Sequence, residues 1–167
     1  MIVAAVAWGC STAPVGDHEP AGDTTSPPTR EAQICGPEVT EPLDPSSSLH
    51  LLPGAAEPAY RSDPPTSGAH LSGPAPAGAL DEPIGRPVQV QVIEQGGVVI
   101  QYRALAPSEV DRLETLAGPQ VVVAPNPDLP AAVVATAWTT KRSCEALDVE
   151  ALRQFIGEHR TVGPAHS

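Results

Sequence analysis

The most regular part of the chain begins at Val88, where Val88, Val90 and Val92 alternate with Gln89 and Gln91. A period of two predicts a half-buried strand. Gly96-Gly97 breaks the run, and Val98 to Tyr102 predicts a second strand. From Leu105 to Gly118 the spacing becomes helical. Pro107 suits a first-turn position, Val110, Leu113 and Leu116 or Ala117 form an apolar stripe, and Gly118-Pro119 stops the element. Val121 to Ala124 reads as a short buried strand, Pro125 to Pro130 as a loop, and Ala132 to Trp138 as a further strand. A last helix starts with Asp148 as N-cap, buries Leu152, Phe155 and Ile156, and ends before Gly163-Pro164. The order β-β-α-β-β-α predicts an α+β fold: a mixed or mostly antiparallel sheet, about two helices packed on one face, and Pro-rich loops.

Upstream of this region the pattern changes character. Met1 to Trp8 is apolar and uncharged, and Gly9-Cys10 then opens a stretch of Pro, Ser, Thr and acids running to Pro58 without hydrophobic periodicity. Ala7-Trp8-Gly9-Cys10 is similar to a bacterial lipobox, in which a Cys after a small residue is lipidated and becomes the mature N-terminus. Trp8 departs from that pattern. No basic n-region precedes the apolar run, so the reading presumes a start further upstream. The expected organisation is an export signal over 1–10, a disordered acidic linker over 11–45, and a single α+β domain over 46–167. No stretch approaches the roughly 18 apolar residues of a bilayer span, so the lipid on Cys10 would be the anchor. The expected location is extracytoplasmic, attached to the cell membrane.

Composition sharpens this picture in three ways. Aromatic residues make up only 3% of the chain while Pro numbers 21 and Gly 14, so the core must come from Val, Leu, Ile and Ala. Lys141 is the single Lys among nine basic residues, a bias that points to a GC-rich genome of the actinobacterial kind. The formal charge of -11 excludes a nucleic-acid partner, which needs clustered Lys and Arg. Most of the acidity sits in residues 1–60, where eight acids face Arg30 alone, as suits a self-repelling tether.

There are three cysteines. With Cys10 acylated, Cys35 and Cys144 remain, either as a disulfide in an oxidising compartment or as two separate thiols. The bond is the economical expectation. Closing so long a loop contributes at most about 4 to 5 kcal/mol by loop-closure theory.

The heptapeptide Pro64-Pro65-Thr66-Ser67-Gly68-Ala69-His70, with Gly96 to Tyr102, Val121 to Pro130 and Val133 to Trp138 in that order, resembles the bacterial family known as domain of unknown function 3105. The resemblance covers about His50 to Pro164. It implies an exported or membrane-attached protein and brings no activity. The family's most recognisable element reads HSLEHG, and Gln91-Val92-Ile93-Glu94-Gln95-Gly96 stands in its place, with both histidines replaced by Gln. Its other recurrent histidines match His50 and His70. Four imidazoles and a carboxylate would suit zinc or copper. Here His50, His70 and Glu94 are the good ligands left, and Gln91 and Gln95 mark the lost positions, so metal binding is expected to be weak or absent. On a straight strand, positions four apart lie roughly 13 Å from each other, so a bulge or a helical turn would be needed to bring 91 and 95 to one ion.

The remaining candidates have plain alternatives. Ser67 lacks a G-x-S-x-G elbow and reads as part of a turn. Glu94 has no second carboxylate or nucleophile placed beside it by motif, which favours a hydrogen-bonding role over general-base work. His18, His159 and His166 are expected in solvent, and Trp138 in core or interface packing. Three functions compete: a non-catalytic binding module of the envelope, with another envelope protein or a small ligand as partner; a zinc- or copper-binding protein with a partly degenerate site; and, least favoured, a hydrolase using His70 and Glu94.

Overall fold

The computed structural model describes residues 33–160, together with Ile2. Cys10 and its lipobox, most of the expected linker, His18, and residues 161–167 with His166 and Gly163-Pro164 lie outside the described residues. The element order is β1 (Val39–Thr40), β2 (His50–Leu51), β3 (His70–Leu71), β4 (Gly78–Ala79), α1 (Arg86–Glu94), β5 (Val98–Tyr102), α2 (Pro107–Glu114), β6 (Val121–Pro125), β7 (Val133–Ala137), β8 (Thr140–Cys144) and α3 (Val149–His159).

Six strands form one mixed sheet in the order β1-β8-β7-β5-β6-β4, and β2 pairs with β3 in a second, two-stranded sheet. Strands β5 and β6 are parallel, with Val98 opposite Val121 and Tyr102 opposite Pro125. β4 also runs parallel to β6, whereas β5–β7, β7–β8 and β1–β8 are antiparallel. The chain is therefore an α+β protein with a mostly antiparallel mixed sheet. β5, β6 and β7 lie inside the sheet with both faces covered, which is why they read as unbroken Val-rich runs.

The two faces carry separate cores. On one, Val98, Ile100, Val121, Val123, Val133 and Ala135 pack against Leu113 of α2 and Leu152 and Phe155 of α3. The two helices legible in the sequence thus share a face. On the other, Val99, Val122 and Ala124 pack against Val92 and Ile93 of α1. A third helix covers the second face.

That third helix corrects the expected strand over Val88 to Val92. Gln89, Val90, Gln91, Val92, Ile93 and Glu94 are six consecutive buried residues, so the segment is buried all round and its alternation carries no information about a solvent side. Pro in the first turn and Gly96 (φ 80) after the C-cap Gln95 define the ends. Gly97 N–H donates to Val92 O at 2.9 Å and Gly96 N–H to Ile93 O at 3.1 Å, the paired bonds of a Schellman motif. A Cβ on Gly97 would lie 2.8 Å from Val92 Cγ1 and Val92 O, so the second glycine is a steric necessity.

Two further differences concern boundaries. β8 was not foreseen; Trp138-Thr139 turns the chain in two residues, Thr139 has φ 56, and Thr140–Cys144 returns along β7. Residues 33–45, expected in the linker, are part of the fold: Cys35 is bonded to Cys144 at 2.02 Å, β1 pairs with β8, and Asp44 is buried.

Candidate functional site

The heptapeptide 64–70 is buried throughout and held by polar contacts from the segment before it. Asp44 N–H donates to Ser67 Oγ at 2.9 Å, Ala69 N–H donates to Ser46 Oγ at 3.0 Å, and Ser46 Oγ–H donates to Asp44 Oδ1 at 2.7 Å. Thr66 Oγ1 donates to Glu41 Oε2 at 2.7 Å, and Lys141 Nζ lies 2.9 Å from Glu41 Oε1. Burial pushes the Glu41 carboxyl up, but the Ser62 and Thr66 hydroxyls and the Lys141 ammonium outweigh it and hold the group below the usual carboxylate range. Asp44 behaves alike: burial raises it, and the Ser46 hydroxyl and backbone N–H with the Arg61 charge bring it below its ordinary value. Gly68 (φ 133) sits against the Tyr60 ring, where a Cβ would come within 2.8 Å of Cδ1. Tyr60 donates to Ala69 O at 2.6 Å, and its hydroxyl, pushed by burial and by the neighbouring Glu57 to about 12, stays protonated.

This brace fixes His70, which is 2% exposed. Its Nδ1 lies 2.9 Å from Gly68 O; a carbonyl only accepts, so Nδ1 carries a proton and donates, which leaves Nε2 as the outward nitrogen of the ring. Nε2 faces Glu94 Oε1 at 3.7 Å and has no hydrogen-bond partner. His50, opposite His70 in the β2–β3 register, brings its ring edge-on at 4.9 Å between centroids. His50 itself is exposed.

The helix puts Gln91 and Gln95 one turn apart, and both amides reach the same acceptor: Nε2 of Gln91 donates to Gly73 O at 3.0 Å and Nε2 of Gln95 at 2.8 Å. The two glutamines therefore meet each other at Gly73, three residues beyond His70, whose neighbours are the His50 ring and the Glu94 carboxylate. The ligand atoms of His50, His70 and Glu94 are not all within 4.8 Å of one another; among the described residues that spacing is met by Glu38, Glu158 and His159. His159, expected in solvent, is half-buried, with Nε2 2.9 Å from Glu38 Oε2 and its ring 4.4 Å from that of Phe155.

Glu94 also lines a cleft of about 380 Å³ with Leu43, Asp44, Ser47, Ser48 and Trp138. Leu43 is exposed, and Trp138 packs one side against the Val92–Ile93 core. Asp44 and Leu43 were missed as site residues because a Pro-rich acidic segment gives no periodicity by which to place them. Glutamines four apart, flanked by Pro87 and Gly96-Gly97, were the available signal for the helix.

A family model described as protein of unknown function (DUF3105) matches residues 55–166. Comparison with curated proteins and with solved structures found no match.

Proposed function

The chain belongs to the DUF3105 family, and we propose that this member is a non-catalytic binding module of the bacterial envelope, carried on a lipid at Cys10. The observation that carries the reading is the commitment of the polar side chains around the heptapeptide. Ser67 Oγ accepts from a backbone N–H, Thr66 donates to Glu41, and the cleft beside them is lined by the Trp138 indole, the Leu43 side chain, the Asp44 and Glu94 carboxylates and two serines. The Ser67 and Thr66 hydroxyls thus serve the brace of the heptapeptide, and a cleft with Trp138 and Glu94 on its walls suits recognition. A photo-crosslinking residue at Ser48 should give one discrete adduct in intact cells of a native-type host, lost in Trp138→Ala. Absence of an adduct, or an adduct indifferent to Trp138, would refute the cleft as the recognition surface.

The anchor has its own test. Mass spectrometry of the membrane fraction should show an N-terminal diacylglyceryl cysteine at Cys10, and recovery of soluble protein retaining Met1 would rule the anchor out. Supporting it are the lipobox-like run and the Cys35–Cys144 bond, which suits an oxidising compartment.

A second reading, zinc or copper binding, is favoured by the lone Nε2 of His70, fixed through Nδ1 to a carbonyl as metal-bound histidines usually are. On a helix, the family's HSLEHG has the H-x-x-E-H spacing that sets two imidazoles one turn apart beside a carboxylate. In this chain amides stand at both positions and are spent on Gly73, so zinc affinity should be weak. Gln91→His with Gln95→His should raise it by at least about tenfold in titration calorimetry above pH ~6.5, where imidazole is neutral. Equal, negligible affinity in both proteins would leave Gln91 and Gln95 as structural positions only.

A further inference from the structure

At the opposite end of α1 a second cleft, of about 340 Å³, opens between the first turn of the helix and the loop Asn126-Pro127-Asp128 that leaves β6. Tyr102 and Pro125 are the paired last residues of the parallel strands β5 and β6, and Asn126 N–H donates to Tyr102 O at 2.8 Å, so the loop that borders this cleft leaves from their carboxyl ends. Its floor includes Gln89, which is 2% exposed. Nε2 of Gln89 donates to Ile84 O at 2.8 Å, and Oε1, an acceptor, has no partner. An unpaired buried amide oxygen costs on the order of a lost hydrogen bond unless something donates to it.

The charges around it define the donor. Glu57, Asp63 and Asp128 line the cleft against Arg86 alone. Arg86 is already engaged, with Nε 2.6 Å from Glu57 Oε1, Nη1 4.0 Å from Asp63 Oδ2, and its guanidinium 5.9 Å over the Tyr60 ring. An anion would meet net negative charge. A bare metal ion would lack a gathered ligand set, because these three carboxylates are not within 4.8 Å of one another. An ammonium group satisfies both features: its N–H donors can pair with Gln89 Oε1, and its charge is balanced by Asp128 and Asp63.

We infer that the cleft between Gln89 and Asp128 binds a primary alkylammonium group, of the kind carried by a free amine or by a lysine side chain. The site is separate from the Glu94–Trp138 cleft and does not depend on it. Nitrogen–proton correlation spectra of the full-length protein, titrated with n-pentylamine, should show saturable shifts of the Gln89 side-chain amide and the Asp128 backbone amide. n-Pentanol, of the same shape and uncharged, should leave both unmoved.

Asp128→Asn keeps the loop bond from Asp128 N–H to Asn126 Oδ1 and should weaken pentylamine binding by about fivefold, with a weaker response to salt. Gln89→Leu should abolish it; if that variant does not fold, the Asp128→Asn comparison still decides. Nα-acetyl-lysine methylamide separates the two sources: tighter binding than pentylamine assigns the site to a lysine of a partner chain, weaker binding to a free amine. The inference is overturned if pentanol shifts the same resonances equally, if Asp128→Asn binds pentylamine as well as the parent, or if neither amine moves Gln89 up to about 10 mM, a range in which even weak specific binding is visible.

Discussion

Glu41 accepts from two hydroxyls and an ammonium, and its partners come from 21, 25 and 100 residues away in the chain, so one carboxylate ties the N-terminal segment to the heptapeptide and to β8. Its folded-state pKa is below the ordinary one, so the unfolded chain takes up the proton first. The stabilisation is full above the ordinary carboxylate range near pH 4.3 and is lost as the pH falls through the lower folded value. Asp44 adds to the same acid limb. Glu41→Gln should cost about 1 to 3 kcal/mol at neutral pH in urea unfolding, since a neutral amide leaves Lys141 without its counter-charge. The variant should also show a shallower loss on acidification; parallel pH profiles would mean that other groups control the acid limb. None of this was legible from Glu41 itself, one of many acids in a polar stretch.

At the scale of elements, α1 shows how a local pattern misleads. Val and Gln alternate, and β-branched residues favour strands, yet tertiary packing against β5 and β6 buries every side of the segment and outweighs a preference worth tenths of a kcal/mol per residue. The helix stops where Gly96 takes φ 80 and Gly97 passes under Val92. Gly97→Ala should therefore destabilise the protein by about 1 to 3 kcal/mol in thermal or urea unfolding, because the new methyl meets a backbone carbonyl as well as a side chain. Wild-type stability in that variant would show that the turn relaxes freely. By contrast α3 was readable down to its cap: Ala151 N–H donates to Asp148 Oδ1 at 3.0 Å.

Across the whole molecule, the Cys35–Cys144 bond closes a separation of 109 residues and fastens the start of the described chain to the end of β8, with both cysteines buried in the main core. Replacing both by Ser should lower stability by about 3 to 5 kcal/mol, the upper part of the range for a long loop, and loosen the β1–β8 pairing in hydrogen exchange. A stability loss under about 1 kcal/mol would mean that the pairing of β1 and the Glu41–Lys141 contact suffice to close the loop.

Hydrophobic runs and caps, which depend on neighbours a few positions away, determined β5, β6, β7, α2, α3 and the α+β class. The sign of the charge was likewise a matter of residue type. What only the tertiary structure decided depends on partners far along the chain. The helical state of 86–94 follows from the second core face, and the inclusion of 33–45 follows from Cys144, β8 and Ser67. The placing of Gln91 and Gln95 on Gly73 follows from the line α1 takes past β3. A segment buried on all sides carries no periodicity, and a polar brace has none to carry, so neither announces itself until the surfaces that cover it are in place.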